Sequence, residues 1–409
     1  MDAARPAGPR AAFGLIRSPT FGPYFVGNAS SASGTWFQNL AAQLLVFRLT
    51  HSAFLLGVLN FANFIPVLAL APWAGSAADR FDRRRLLILT QALATILSAV
   101  LAVLAWSGLA NQWVVIAFAF GLGISSAFSA PASTAFISQL VPRDELPSAV
   151  ALNSMTFNIA RAVGPALAAL SVKKLGIPAS FAINAGSYLL FIAALALVHP
   201  APVQRARRGE ARLRESLGLV RRTPRLLVFL LIVTAVGFAS DPVNTEAPAF
   251  AHAFGYSDTV SGWIIGAFGV GAVAAAFFFA GRVAGSRRRM TTTLLLLGFG
   301  VVAFSVSPWL ALGFVFLIVA GFGYLASNTH ATSRLQLEVE ESQRGRIMAL
   351  WSVAFLGLRP VASLLDGTLA GAFGVRVAGV CLALPAFALA AVTAFYVAKR
   401  PQFATSASG

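Results

Sequence analysis

The stretch GSAADRFDRRR occupies residues 75–85 and places six charged side chains within eleven positions. Neither neighbouring segment, 49–78 before the first acid and 86–142 after the last arginine, contains an Asp, Glu, Lys or Arg. A membrane-spanning helix needs about 20 consecutive apolar residues. The sequence therefore predicts that this charged hairpin lies outside a membrane, between two spans.

The same division into long uncharged segments and short charged ones continues along the whole chain. Its 409 residues are 57% hydrophobic and only 11% charged, whereas soluble domains contain about 25% charged residues. This deficit argues against a soluble protein. The segments without Asp, Glu, Lys or Arg are 18–47, 49–78, 86–142, 175–204, 259–281, 290–333 and 377–398.

The longest uncharged segments divide at short turn-like sequences, WSGLANQW at 106–113 and VSPW at 306–309. With these divisions the sequence predicts an all-α integral membrane protein of about 12 transmembrane helices. The predicted spans are 21–47, 54–78, 86–107, 112–138, 147–171, 178–198, 226–251, 258–281, 290–306, 309–334, 345–371 and 376–397.

The net charge of +17 follows this topology. With the N-terminus inside, nearly all arginines fall on one side of the membrane, and only Arg48, Lys173, Lys174 and Arg376 fall on the other. Cytoplasmic loops of membrane proteins carry such an excess of cations. We therefore expect a multi-pass protein of the cell membrane with both termini cytoplasmic, and the charge needs no nucleic-acid partner.

Two parts of the chain repeat at a spacing of 198 residues. VPRDELPSAVALNS at 141–154 resembles VEESQRGRIMALWS at 339–352, and the same shift aligns Arg161 with Arg359 and Gly176 with Gly374. The repeat predicts two pseudo-symmetric bundles of six helices each. The predicted units are a cytoplasmic segment 1–20, a bundle 21–198, a basic linker 199–225, a bundle 226–397 and a tail 398–409.

The middle of the basic linker, 211–220, allows two interpretations. Leu213, Leu217 and Val220 share one helical face with arginines elsewhere, which suits a helix on an anionic membrane surface. The composition equally suits a disordered linker.

These features resemble the major facilitator superfamily over nearly the whole chain. The family's signature between its second and third helices matches Gly75, Asp79, Arg80, Arg83 and Arg84. LPSAVALNSMTFNIARAVGPALAAL at 146–170 resembles the enterobactin-exporter-like branch, the transmembrane secretion effectors. The resemblance implies a major facilitator fold and a proton-coupled exporter of a small amphipathic metabolite, drug or siderophore, working by alternating access.

The resemblance also implies roles for two short motifs. It makes the hairpin a conformational latch, in which Asp79 pairs with an arginine to close the cytoplasmic side; the alternative is a solvated turn whose cations set the topology. The pair Gly164 and Pro165 is similar to an exporter motif of the fifth helix, where proline kinks the span and glycine admits a neighbouring backbone.

Five charged residues fall inside predicted spans and away from their ends, where each costs about 2.5–3.5 kcal/mol. Asp241 with Glu246 or Asp366 is predicted to carry a proton, and Arg161 and Arg359 to balance charge or contact an anionic substrate. A carboxyl group that alternates between a dry environment and an arginine neighbour changes its proton affinity. The alternative is an outer gate of structural salt bridges.

The first predicted span carries a polar stripe. Asn28, Thr35, Asn39 and Gln43 fall within one arc at helical spacing, with Trp36 beside them. We expect the stripe and Trp36 to line the substrate cavity. Contacts between helices are the alternative, because small polar residues also join membrane helices.

The sequence contains no nucleotide-binding loop, no metal-ligand cluster and no activated nucleophile. We therefore expect no enzyme activity, no cofactor and no metal. The expected partners are a small-molecule substrate, protons and membrane lipids, and the chain is expected to function as a monomer. An importer of the same fold and a non-transporting membrane receptor or scaffold remain alternatives.

Overall fold

The computed structural model describes residues 14–142, 144–200, 218, 220, 223–279 and 287–398. Within these ranges the regular secondary structure is helical and contains no strand. The helices of the first half are α1 (Phe21–Thr50), α2 (Ala53–Ala69), α3 (Ala71–Arg80), α4 (Arg83–Trp106), α5 (Gln112–Ile137), α6 (Leu146–Leu175) and α7 (Ile177–Leu197).

The second half begins with α8 after the basic linker. Its helices are α8 (Pro224–Thr245), α9 (Ala247–Ala253), α10 (Ser261–Phe279), α11 (Arg287–Val306), α12 (Leu310–Leu337), α13 (Glu341–Ser352), α14 (Arg359–Phe373) and α15 (Val375–Ala398). A short 3-10 turn, Asp258–Val260, precedes α10, and a π-helical turn, Val353–Gly357, joins α13 to α14. Most of the predicted linker, and with it the predicted surface helix at 211–220, lies outside the described residues.

Among the described helices, ten are long and apolar enough to cross a membrane, and the bent pair α2–α3 makes eleven. Helix α1, which corresponds to the first predicted span, 21–47, is not among these eleven. It is 30 residues long, but the polar residues of its stripe lower its hydropathy. The fold class predicted from the sequence is thus confirmed, and span boundaries agree to within a few residues.

Three of the predicted spans are interrupted, and each break lies beside a proline, which removes a backbone hydrogen bond. The prediction of a single helix over 54–78 is wrong, because α2 and α3 meet at an angle of 54° close to Pro72. The span 226–251 breaks at Glu246, two residues before Pro248. The span 345–371 contains the π-helical turn that ends just before Pro360.

The helices pack as two groups that meet along two seams. In the first group α1 packs on α6 and α7, and α4 on α5 and α7; in the second α12 packs on α10 and α11, and α15 on α8 and α11. The seams between the groups are α2 against α14 and α6 against α10. The repeat of 198 residues also reappears in the backbone, since Gly176 and Gly374 both turn the chain at positive φ, +85° and +88°.

The alternating direction of the helices gives the bundle two ends. One, which we call the basic end, carries the hairpin 75–85 and the start of α8. The other, the closed end, carries residues 43–57 and 241–262. At the closed end the two groups approach to backbone contact, because a side chain at Gly57 would collide with the Ser363 carbonyl and one at Gly262 with the Pro165 carbonyl.

Candidate functional site

The three acids predicted inside spans come together near the closed end. Asp241 lies on α8, Glu246 at the break between α8 and α9, and Asp366 on α14; their exposed fractions are 1%, 0% and 0%. Glu246 is within electrostatic range of both other carboxyl groups, and Asp241 is within range of Arg359. The break beside Pro248 brings Glu246 into this cluster, so the irregular backbone serves the site.

Asp241 is held by hydrogen bonds within the second half, and one of its partners is bonded in turn to the first half. Its carboxyl oxygens accept from the Thr245 hydroxyl at 2.9 Å and the Ser363 hydroxyl at 3.1 Å. Asn60 of α2 in turn donates to the Thr245 hydroxyl at 2.9 Å. This series of hydrogen bonds from Asn60 through Thr245 to Asp241 crosses the boundary between the halves. A relative movement of the halves therefore changes the surroundings of the Asp241 carboxyl group.

Glu246 and Asp366 differ from Asp241 in their bonding. None of their four carboxyl oxygens has a hydrogen-bond partner among the described residues. An unpaired charge in a membrane interior is costly, and a carboxyl group avoids that cost by binding a proton. Glu246 and Asp366 therefore stay the candidates for a proton site.

The two repeat-related arginines each cross the boundary to an aromatic ring. Arg161 of α6 donates to the Tyr324 hydroxyl at 2.5 Å, and its guanidinium carbon lies 4.3 Å from the centre of that ring and 5.9 Å from that of Phe268. Arg359 of α14 lies 4.8 Å from the ring centre of Phe64 on α2. Such cation–π contacts are worth about 2 kcal/mol or more when desolvated.

Both arginines are nearly enclosed, with exposed fractions of 6% and 8%. Each keeps one buried nitrogen, Arg161 Nη2 and Arg359 Nε, without a hydrogen-bond partner in the described structure. They thus combine a structural contact between the halves with unused donor capacity.

The polar stripe of α1 joins helices and also lines cavities. Asn28 donates to Asn153 Oδ1 on α6 at 2.7 Å, and the hydroxyls of Thr35 and Tyr188 on α7 are 3.0 Å apart. Both stripe residues also line a cavity of about 250 Å³ within the first half. The two interpretations of the stripe are therefore compatible.

The part of the stripe nearer the closed end contacts the second half of the protein. Gln43 donates to the Asn244 carbonyl at 2.8 Å. Asn39, Gln43 and Trp36 line a cavity of about 20 Å³ together with Asp241 and Arg359. The structure thus places predicted cavity residues and a predicted proton carrier around one small space.

The Gly164–Pro165 pair lies where α1, α6 and α10 meet. A side chain at Gly164 would collide with Trp36 Cβ, and the Pro165 carbonyl approaches Gly262. Helix α6 runs without a break through this point. Gly164 therefore packs closely on α1 within the first half, Pro165 lies at the seam with α10, and the role of the pair in export stays a prediction.

The basic hairpin is bound to its own half. Asp82 caps α4 by accepting the Arg85 backbone N–H at 2.8 Å, and Arg84 donates to the Leu195 and Ala196 carbonyls, each at 2.6 Å. Arg83 donates to the Ala135 carbonyl at 3.1 Å. In the described part of the chain the exposed residues Asp79 and Arg80 form no ion pair, and a side chain at Gly75 would meet open space. The latch therefore stays a prediction.

Several residues of the site were not predicted from the sequence. They are Asn60, Phe64, Phe268, Tyr324 and Ser363 around the charged cluster, and Gln91, Ser129, Ser133, Asn153 and Tyr188 around the larger cavity. A signal for Ser129 and Ser133 was present, because ISSAFSAPAST at 124–134 concentrates hydroxyls in an otherwise apolar span. The partners of the arginines carry no comparable signal.

Comparison with known proteins agrees with this architecture. Residues 10–408 match the family model of the transmembrane secretion effectors, a major facilitator group. The chain belongs to this family. It is thus a multi-pass membrane transporter of small molecules.

Relatives of this transporter include efflux pumps and a Staphyloferrin A transporter. The Staphyloferrin A transporter of Staphylococcus aureus is 26% identical over 355 residues, covering 84% of this chain and 87% of its own. The multidrug efflux pump Tap of Mycolicibacterium fortuitum is 26% identical over 387 residues, covering 90% and 93%. Among solved structures, an inward-facing, occupied bacterial homologue of the human lysosomal transporter Spinster aligns with a TM-score of 0.74 at 15% identity, covering 98% of this chain and 100% of its own, which shows a shared fold.

Proposed function

We propose that this transporter is a proton-coupled exporter of small amphipathic molecules, such as a metabolite, drug or siderophore. It works by alternating access in the cell membrane, as a monomer, with the basic end and both termini in the cytoplasm. Relatives named as multidrug and macrolide efflux proteins favour export. The relative named as a siderophore transporter extends the range of substrates to consider.

The observation that carries the proposal is the pair of buried, unpartnered carboxyl groups of Glu246 and Asp366 beside Asp241. When the closed end opens to the outside, water reaches these groups and they take up a proton. When it closes, they carry the proton in a dry environment. Asp241, within range of Arg359 and lining the small cavity, then receives the proton and releases it toward the basic end.

Alternating access requires that the contacts across the boundary break and reform. The contacts concerned are Arg161 with Tyr324, Arg359 with Phe64 and Gln43 with Asn244. In the opposite state the halves meet at the basic end, where we propose that Asp79 pairs with an arginine and acts as the latch. The linker 199–225 connects the halves at that end and contacts anionic lipids.

The test is transport in inverted membrane vesicles, with ethidium and radiolabelled erythromycin as amphipathic probes. We expect respiration-driven uptake of a probe that a protonophore abolishes, and loss of that uptake in Asp241→Asn. Asp144→Asn, which neutralises an exposed acid at the basic end, is the matched control and keeps full activity.

Other results would overturn parts of the proposal. Proton-driven uptake only in right-side-out vesicles would make the protein an importer. Saturable binding of a probe without movement in either orientation would favour the receptor. Intact coupling in Asp241→Asn would remove Asp241 from the proton path while leaving export in place.

A further inference from the structure

The larger cavity lies within the first half of the protein, in the part of the bundle nearer the basic end. Its volume is about 250 Å³, and α1, α4, α5, α6 and α7 each contribute to its wall. Eleven of its eighteen lining residues carry a hydroxyl or an amide, and none of these described residues is charged. A neutral polar cavity of this kind is a separate feature from the charged cluster near the closed end.

The polar groups of the cavity wall are held in place and keep unused bonding capacity. The bond from Asn28 to Asn153 Oδ1 leaves the second N–H of Asn28, its carbonyl oxygen and both N–H groups of Asn153 for a ligand. The hydroxyls of Tyr24 and Ser133 are 2.6 Å apart. Ser129 donates to the carbonyl of Ser126 within α5, which leaves its oxygen free to accept. Donors and acceptors positioned in advance bind a ligand with a lower ordering cost.

The charge of the wall decides which ligands fit. A charged group that enters a cavity without a counter-charge loses hydration that neutral hydroxyls and amides replace only in part. A neutral group rich in hydroxyls exchanges its bonds with water for bonds to the wall. The apolar rings of Phe157 and Phe191 complete the lining and suit the C–H faces of a saturated ring.

The size of the cavity decides how much of a ligand it holds. Its volume of about 250 Å³ is below the roughly 300–1,000 Å³ of pockets for drug-sized ligands. It therefore accommodates one polar group of an amphipathic molecule, while the apolar part extends into the space between the halves.

We propose that this cavity binds the uncharged, hydroxylated end of the transported molecule, a sugar or polyol group, through the amides and hydroxyls of the first half alone. The inference rests on the proposed transport function for its biological meaning. Binding itself needs no proton gradient, so the two are tested separately.

The test is equilibrium dialysis with the full-length protein in lipid nanodiscs, with empty nanodiscs as the blank. The probes are 4-methylumbelliferyl β-D-glucopyranoside and the matching β-D-glucuronide. The two differ at one carbon, where the glucoside has a hydroxymethyl group and the glucuronide a carboxylate. We expect the neutral glucoside to bind at least tenfold more tightly than the glucuronide. We expect Asn153→Leu to weaken glucoside binding about tenfold and Ser129→Ala two- to threefold.

The matched control is Asn328→Leu, which removes an amide from α12 of the second half and leaves glucoside affinity unchanged. Equal affinity for the two probes, undiminished binding in Asn153→Leu, or no glucoside binding in folded protein would overturn the inference. If Asn153→Leu fails to give a monodisperse protein, Ser129→Ala alone decides. Glucoside binding without proton-driven efflux of ethidium or erythromycin supports this subsite and contradicts only the proposed exporter; the reverse result overturns only the subsite.

Discussion

The cavity of the first half and the charged cluster near the closed end are built from opposite kinds of polar group. Around the cavity, neutral amides and hydroxyls pair with one another inside one group of helices. In the cluster, the carboxyl groups and Arg359 belong to the second group of helices and contact Asn60 and Phe64 of the first, and several of their atoms have no hydrogen-bond partner among the described residues. Neutral groups exchange bonds with a ligand without changing charge, whereas the cluster changes with protonation and with movement of the halves.

The largest effect is expected from the double substitution Glu246→Gln with Asp366→Asn, because amides resemble protonated acids and cannot release the proton. For one proton exchanged per neutral substrate, a potential of 100 mV supplies about 2.3 kcal/mol and sustains a gradient of about 50-fold. We expect this gradient to fall to unity, measured as energised accumulation of radiolabelled chloramphenicol, an uncharged probe, in inverted vesicles. Downhill exchange continues and glucoside binding to the cavity is unchanged; a retained gradient would place coupling outside the cluster.

The next largest effect is expected from Arg161→Met, which removes a contact between the halves. The lost cation–π contact is worth about 2 kcal/mol, or a shift of about 30-fold toward opening of the closed end. The readout is the rate of maleimide labelling at Leu59→Cys, a buried position, in a Cys381→Ser background.

Arg376→Met is the control for this experiment. Arg376 lies 4.7 Å from the ring centre of Phe254 and donates to the Ser305 and Ser307 carbonyls, all within the second half. Its removal should leave the labelling rate unchanged. Equal acceleration by both variants would mean that cation–π contacts stabilise helices generally and do not hold the halves together.

A smaller effect is expected when charge is moved into the neutral cavity. Asn153→Asp keeps the size of the side chain but replaces two donors with a carboxylate. We expect glucoside affinity to fall about tenfold, as one tenfold step corresponds to about 1.4 kcal/mol, while proton-driven efflux of ethidium retains its sensitivity to protonophore. Loss of that sensitivity would show that the two regions are not separate in function.

The smallest effect is expected from Arg48→Ala at the rim of the closed end. Arg48 pairs with Asp258 of the other half at 2.5 Å and 3.1 Å, but 43% of its side chain is exposed. Exposed ion pairs contribute about 0–1 kcal/mol and are screened by salt. The rate of labelling at Leu59→Cys should rise by at most about fivefold at low salt. The double variant Arg48→Asp with Asp258→Arg should restore the original rate. A larger effect that persists at high salt would make this ion pair a principal gate.

The sequence predicted the candidate site in part. The acids Asp241, Glu246 and Asp366 stood out because charges are rare in apolar spans, and the structure brings them together. The polar groups that surround them, such as Ser363 and Asn60, were not predicted, since serine and asparagine occur in many spans as packing residues. The sequence indicated the break at Glu246, because Pro248 follows it, whereas the break at Val353–Gly357 was masked by the continuous hydrophobicity of its span.

The sequence by itself determined the fold class, the order of the apolar segments, the repeat of 198 residues and the position of the charged hairpin. These properties depend on hydrophobic length and on local charge, which act on each segment separately. Only the tertiary structure decided which side chains meet: Asn28 with Asn153, Asn60 with Thr245 and Arg161 with Tyr324 are 125, 185 and 163 residues apart. Such contacts depend on the rotation and lateral placement of each helix against its neighbours, and these are decided when the helices pack together.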